Sequence, residues 1–223
     1  MTIGVLLAHG WCFGSTMWDP LVPMLHADIF ITPDFGYFCE PALPSHLQPS
    51  IIIGVGHSFG FLWLLKQRKY KLNGLVGISS VPSFCESHSG HAALSEEDLA
   101  TARSRISKSP RSFIKWFQKK CGVPFHDRRP GPYCINSGPI LRDLEYLERW
   151  NVRSNLEQAL VPVQILGACD DKILSPGNIL ASFSGLSGVE IFIENGGGHI
   201  LPVLNPEKCA ETINGLIHKI AVS

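Results

Sequence analysis

The stretch "IIIGVGHSFGFLWLL", residues 51–65, decides how the chain is read. Apolar, β-branched residues run into Gly56-His57-Ser58-Phe59-Gly60, and large apolar residues follow. The first part predicts a strand buried on both faces and the last part a helix. A G-x-S-x-G pentapeptide at such a junction is the pattern that lifts a serine on a sharp strand-to-helix turn. In a chain with 21 glycines the pentapeptide alone is weak. Residues elsewhere decide whether Ser58 is a nucleophile or only a small residue at a junction.

Similar apolar runs occur at residues 3–8, 29–32, 75–79, 163–167 and 189–193, each ending in Gly, Ser, Asp or Pro. Helical patterns lie between them at 17–25, 58–69, 176–183 and 206–219. Ser175-Pro176 reads as an N-cap followed by proline at the first helical position. Strands alternating with helices predict an open, mainly parallel, doubly wound α/β sheet of about six strands. Residues 82–155 break the rhythm, with helical patterns separated by Pro/Gly-rich pieces such as "GVPFHDRRPGPYC" and no convincing buried strand. A structureless connection of that length is uncommon in a compact domain. The segment is therefore read as a helical cap inserted after the fourth strand, with residues 1–81 and 156–223 forming the core.

Composition narrows the class. The 223 residues are 45% hydrophobic and 17% charged, enough for one domain with a sizeable insertion and unlike a disordered chain. No apolar run reaches the ~20 residues of a membrane span, and the N-terminus lacks the basic start of a secretory signal. Seven scattered cysteines without a C-x-x-C pair give no zinc or redox signature. A cytoplasmic, monomeric protein with reduced thiols and no metal or other cofactor is expected. Cys12 lies close to the candidate site and is expected to meet thiol reagents.

Ligands of such sheets collect at the carboxyl ends of the strands. Ser58 follows one strand, Asp170 and Asp171 follow "VPVQILG", and His199 follows "VEIFIENGGG". The order Ser, Asp, His along the chain is that of α/β-hydrolases. A serine hydroxyl needs a base within hydrogen-bond reach, imidazole suits that role near neutral pH, and a carboxylate holds its tautomer. Of the nine histidines, only His199 sits on a loop after the last strand. His57 is expected to point elsewhere, while His88, His91 and His126 belong to the insertion and His218 to the last helix. Asp171, followed by "KILSP", is preferred over Asp170 as the acid. The oxyanion of acyl transfer needs backbone donors. Phe59, after the nucleophile, supplies one, and Trp11 in "LLAHGWCFG" the other; Trp11 can at the same time be a core aromatic.

"LLAHGWCFGSTMWDPL", the 56–60 turn, "GLVGISSVPSF" and "VRSNLEQALVPVQILGACDDKILSP" resemble the α/β-hydrolases. Within them, they are similar to the carboxylesterase family of biotin synthesis, which demethylates pimeloyl-acyl-carrier-protein methyl ester. The resemblance covers roughly residues 3–84 and 147–217. It implies an α/β-hydrolase fold, here N-terminally shortened because the usual two preceding strands are missing. It also implies a serine esterase acting on an acyl chain borne by acyl carrier protein, with a generalist esterase or thioesterase as the alternative and a non-catalytic binding protein as a remote one. Nine basic residues and one acid fall within 101–130, a window of +8. Such a run is either a solvated helix face or a surface that steers an acidic partner. The family resemblance favours the second, since arginines of the cap hold the carrier protein in that family, and Arg103, Arg111 and Lys115 are the carrier contacts expected here. Phe113, Trp116 and Phe117 are readable either as the lining of an acyl channel or as packing aromatics; "RSFIKWF" resembles a substrate-contacting helix of the family, which favours Trp116. No nucleic-acid motif appears.

Overall fold

The computed structural model describes residues 1–46, 48–67, 69–85, 92–122 and 134–222. Among them six strands form one sheet: β1 (Ile3–Ala8), β2 (Ile29–Ile31), β3 (Ile51–His57), β4 (Gly74–Ile78), β5 (Val163–Ala168) and β6 (Val189–Glu194). Every pairing is parallel, in the order β2-β1-β3-β4-β5-β6. The chain winds one way from β1 to β2 and then crosses back to β3. That places the topological switch between β1 and β3, where a ligand crevice opens at the strands' carboxyl ends.

The strands have period-two side chains with both faces apolar, and each face has its own core. Leu6, Ala8, Ile52, Leu75, Val163 and Ile165 face α1 (Phe59–Lys66) and α6 (Pro176–Phe183). Val5, Leu7, Ile53, Val55, Val76, Ile78 and Leu166 face α8 (Pro206–Ala221). The edge strands β2 and β6 are only partly covered.

Between β4 and β5 lie α2 (Glu96–Lys108), α3 (Pro110–Lys120), α4 (Ser137–Arg149) and α5 (Arg153–Glu157). Ser95 and Asp98 form a capping box at the start of α2, and Ser109 with Pro110 starts α3 in the same way as Ser175-Pro176 starts α6. Leu99, Ile106, Phe113, Ile114, Ile140, Leu144 and Leu147 join the apolar cluster of α1 and the sheet. The Trp11 ring Nε1–H donates to the Ile140 carbonyl at 2.8 Å, Gln118 donates to the Cys12 carbonyl at 2.7 Å, and the Tyr37 hydroxyl donates to Asp143 at 2.7 Å.

Residues 17–25, read as a helix from their pattern, instead form two short 3-10 turns, Ser15–Trp18 and Val22–Met24. Pro20 and Pro23 explain the difference, since neither can donate the backbone hydrogen bond a continuous helix needs. Met17, Trp18 and Leu21 remain buried against the α8 side of the sheet.

Gly56 and Gly60 bring α1 onto the sheet. A Cβ on Gly60 would stand 2.0 Å from the Ala8 carbonyl oxygen, and one on Gly56 would stand 2.3 Å from the Cα of Phe61. Backbone is the obstacle in both cases, so no side-chain rotation relieves it. Gly60→Ala is expected to destabilise the protein by about 3 kcal/mol, the upper range for overpacking. The check is a lower denaturant midpoint at unchanged slope. A variant within about 1 kcal/mol of wild type would mean that α1 can retreat from β1.

Candidate active site

Ser58 stands between β3 and α1 with φ 52° and ψ −119°, a conformation that L residues rarely adopt. Strain of this kind, of order 1–3 kcal/mol, persists only where neighbours hold it. Here the Ser58 N–H donates to the Ile78 carbonyl at 2.9 Å, and the Ser80 hydroxyl donates to the Ser58 carbonyl at 2.8 Å. His199 Nε2 lies 3.2 Å from Ser58 Oγ, and His199 Nδ1 lies 2.8 Å from Asp171 Oδ2.

The tautomer follows from the partners. An ionised carboxylate only accepts, so Nδ1 carries the proton and Nε2 offers its lone pair to the serine O–H. Burial alone would raise the Asp171 carboxyl. The adjacent His199 and the Leu174 and Ile173 N–H groups, which donate to Oδ1 at 2.9 and 2.7 Å, outweigh it and hold the group below the ordinary carboxylate range. Asp171 therefore stays ionised and ready to stabilise an imidazolium. Asp170 has a different place: its Oδ1 accepts from the Gly198 N–H at 2.9 Å and ties down the turn that carries His199.

That turn is the 3-10 segment Gly198–Ile200, followed by α7 (Leu201–Leu204). Gly197 and Gly198 enter it with φ 120° and 57°. The His199 N–H donates to the Cys121 carbonyl at the end of α3 at 3.2 Å.

Peptide planarity sets the direction of the two candidate oxyanion donors. The Gly10 carbonyl accepts from the Phe13 N–H at 3.2 Å and from His9 Nδ1 at 2.9 Å. His9 Nε2 in turn accepts from the Phe35 N–H at 3.0 Å, which fixes the proton on Nδ1. With that carbonyl held, the trans peptide sends the Trp11 N–H the opposite way. Neither it nor the Phe59 N–H, an orphan of the first turn of α1, has a hydrogen-bond partner among the described residues. A Cβ on Gly10 would come 3.3 Å from Ser58 Cβ, so this loop lies directly beside Ser58. Two unpaired N–H groups flanking a serine are what a tetrahedral oxyanion requires.

The remaining candidates are distributed differently. The Trp11 ring, besides its bond to Ile140, packs against Phe113 and Phe117 with centroids 5.4 and 5.2 Å apart, so its backbone and its ring have separate uses. Trp116 is 43% exposed and lies against Arg105 and Lys120, 4.6 and 5.7 Å from its ring centre. The inward aromatics of α3 are Phe113 and Phe117, which replace Trp116 as the ones facing the oxyanion loop. Helical geometry explains this: Phe113 neighbours both rings, at 5.7 Å from Trp116 and 6.0 Å from Phe117, but the consecutive residues 116 and 117 lie about 100° apart around the helix. Arg103 is paired with Glu148, while Arg111 and Lys115 are exposed on α3. Arg128, Arg129, His88, His91 and His126 lie outside the described residues. Cys12 is buried, and burial, reinforced by Cys121, pushes its thiol well above the ordinary value, so the expected reactivity is not supported.

His57 does not simply point elsewhere. Its Nε2 lies 2.7 Å from the backbone oxygen of His199, a contact across 142 positions that no local pattern announces. Among the described residues no group of three or more His, Cys, Asp or Glu is arranged to hold a metal, and no helix is long and apolar enough to cross a membrane.

The fold has many relatives of known structure. An esterase from Exiguobacterium antarcticum superposes with TM-score 0.81 at 15% identity, over 98% of this chain and 91% of that one. A bromoperoxidase from Bacillus anthracis gives TM-score 0.81 at 18% identity, over 98% and 92%. A hydrolase from Oleispira antarctica gives 0.75 at 17%, over 100% and 92%. At these identities the likeness is one of fold. No curated protein sequence matches the chain. The sequence model of the alpha/beta hydrolase family matches residues 5–212. With the six-stranded parallel sheet, the chain is therefore a hydrolase that belongs to the alpha/beta hydrolase family.

Proposed function

We propose that the protein is a serine carboxylesterase with Ser58 as nucleophile, His199 as general base and then acid, and Asp171 as the carboxylate that orients it. The observation that carries this reading is the continuous chain from Ser58 Oγ through both His199 nitrogens to Asp171, at 3.2 and 2.8 Å. Ser58 Oγ attacks the ester carbonyl while its proton passes to His199 Nε2. The Trp11 and Phe59 N–H groups hold the oxyanion. Collapse expels the alcohol, which takes the proton from Nε2, and leaves an acyl-serine. Water then attacks the acyl-serine with His199 again as base, releasing the carboxylic acid and restoring Ser58.

The substrate class rests on different residues. The family resemblance points to an acyl chain on acyl carrier protein, in particular pimeloyl methyl ester, with methanol as the leaving alcohol and the product serving biotin synthesis. Supporting it, Arg105, Lys108, Arg111, Lys115, Lys119 and Lys120 are exposed on α2 and α3, a surface that would attract an acidic carrier. One observation favours the generalist esterase instead. Residues 82–155 hold twelve basic and eight acidic side chains, so the insertion as a whole is +4, half the charge of its most basic window. Arg103, moreover, is already paired with Glu148.

Charge reversal at Arg111 and Lys115 separates the two readings. On carrier-linked methyl ester, kcat/KM is expected to fall by about tenfold or more, with the loss shrinking as salt rises. Hydrolysis of p-nitrophenyl butyrate should stay within about twofold of wild type, since these are surface positions. Equal effects on both substrates, or none on either, would favour the generalist. Growth of a biotin-requiring esterase mutant carrying wild-type protein, but not Ser58→Ala, tests the pathway assignment separately.

A further inference from the structure

The side chain just before the nucleophile is more constrained than esterase chemistry alone explains. His57 ends β3 and is fully buried. Its ring meets Phe13 edge-on at 5.6 Å and the His199 ring at 5.2 Å. A carbonyl oxygen only accepts, so His57 Nε2 carries the proton that bonds the His199 carbonyl, and Nδ1 keeps a lone pair. That lone pair is buried without a hydrogen-bond partner. Orphaned buried polar atoms are rare in folded proteins and call for a reason. An apolar side chain would fill the space without stranding a nitrogen, yet it would leave the His199 carbonyl without its donor.

The opposite edge of the ring is equally committed. A Cβ on Gly10 would come 2.4 Å from His57 Nδ1 and 2.7 Å from Cε1, so the backbone of the oxyanion loop rests directly on the imidazole. One ring therefore touches two parts of the site: the turn that carries His199 and the loop that carries the Trp11 N–H. The turn is otherwise held by Asp170 at Gly198 N–H and by the Cys121 carbonyl at His199 N–H. His57 holds its carbonyl side.

We infer that His57 is a positioning residue that sets the distance between His199 and Ser58 by donating to the His199 main-chain carbonyl while bracing Gly10. It takes no proton from substrate, because burial, followed by the neighbouring His199, lowers its pKa to about 3 and keeps it neutral. The groups that face it are His199, Asp171 and His9. This inference rests on the serine-esterase reading above.

The test uses three variants of the full chain, with kcat and KM on p-nitrophenyl butyrate and the rate of Ser58 labelling by a fluorophosphonate. His57→Leu removes the donor, His57→Gln keeps an N–H at the reach of Nε2, and His57→Asn keeps the same amide on a shorter stem. Misplacement of a reacting group by about 1 Å is enough to cost about 100-fold. His57→Leu and His57→Asn are expected to lower kcat about 10- to 100-fold with KM within about twofold, and labelling should slow in parallel. His57→Gln should recover most of that loss. Should His57→Leu not fold, the Gln and Asn pair carries the comparison alone. Gln no more active than Asn, or a folded Leu variant within about twofold of wild type, would overturn the positioning role. Failure of the wild type itself to label would instead overturn the serine-esterase reading.

Discussion

Ser58→Ala is expected to lower kcat on p-nitrophenyl esters by about 10⁴-fold or more while leaving KM nearly unchanged. The size follows from the mechanism: without Oγ there is no acyl-serine, and only the oxyanion donors and binding remain to assist direct attack by water. Folding is a separate matter. Ser58 is held through its backbone, by Ile78 and Ser80, and the alanine backbone makes the same two hydrogen bonds, one donated and one accepted. Alanine removes just the hydroxyl that meets His199 Nε2, so stability should change by about 1 kcal/mol or less. A variant with unchanged unfolding and no measurable turnover would place the loss in the chemistry. Retention of more than a few per cent of activity would assign the nucleophile elsewhere.

The second large effect separates two neighbouring carboxylates. Asp171→Asn should lower kcat by about 10⁴-fold, because the amide can present N–H to His199 Nδ1 and stabilise the wrong tautomer. In that tautomer Nε2 carries the proton and cannot accept from Ser58. The Oδ1 contacts to Ile173 and Leu174 survive in asparagine, so the fold should persist. Asp170→Asn keeps an acceptor for the Gly198 N–H and should stay within about tenfold of wild type, as an effect transmitted through loop placement. Kinetics of the two purified variants at pH 8 decide it. Equal losses would mean that the two acids share the role, and a larger loss at Asp170 would reverse the assignment.

The sheet was legible because its strands are nearly all apolar and end in turn residues: the runs 3–8, 163–167 and 189–193 fall within one residue of the observed strands. The helix expected at 17–25 failed where two prolines outweighed an apolar pattern. At the site, Ser58, Asp171 and His199 were readable because each follows a strand, and topology brings strand ends together. The division of labour between Asp170 and Asp171 was only a preference in the sequence. It depends on which carboxylate meets a ring and which meets a backbone N–H, and adjacent residues of one type give no signal for that. Trp116 was drawn inward by local similarity, whereas its angular position on α3 sets it in solvent between Arg105 and Lys120. His57 was missed for the opposite reason. Its partner is a main-chain oxygen, and a main-chain oxygen exists at every position in the sequence.

The central claim is that Ser58 is an activated nucleophile, and covalent labelling tests it most directly. Treatment of the full chain with a fluorophosphonate, followed by intact mass and peptide mapping, should give one adduct per molecule on the peptide containing Ser58. The adduct should be absent in Ser58→Ala and form slowly in His199→Ala. An adduct that persists in Ser58→Ala, or a wild-type protein that takes up no label, would contradict the account.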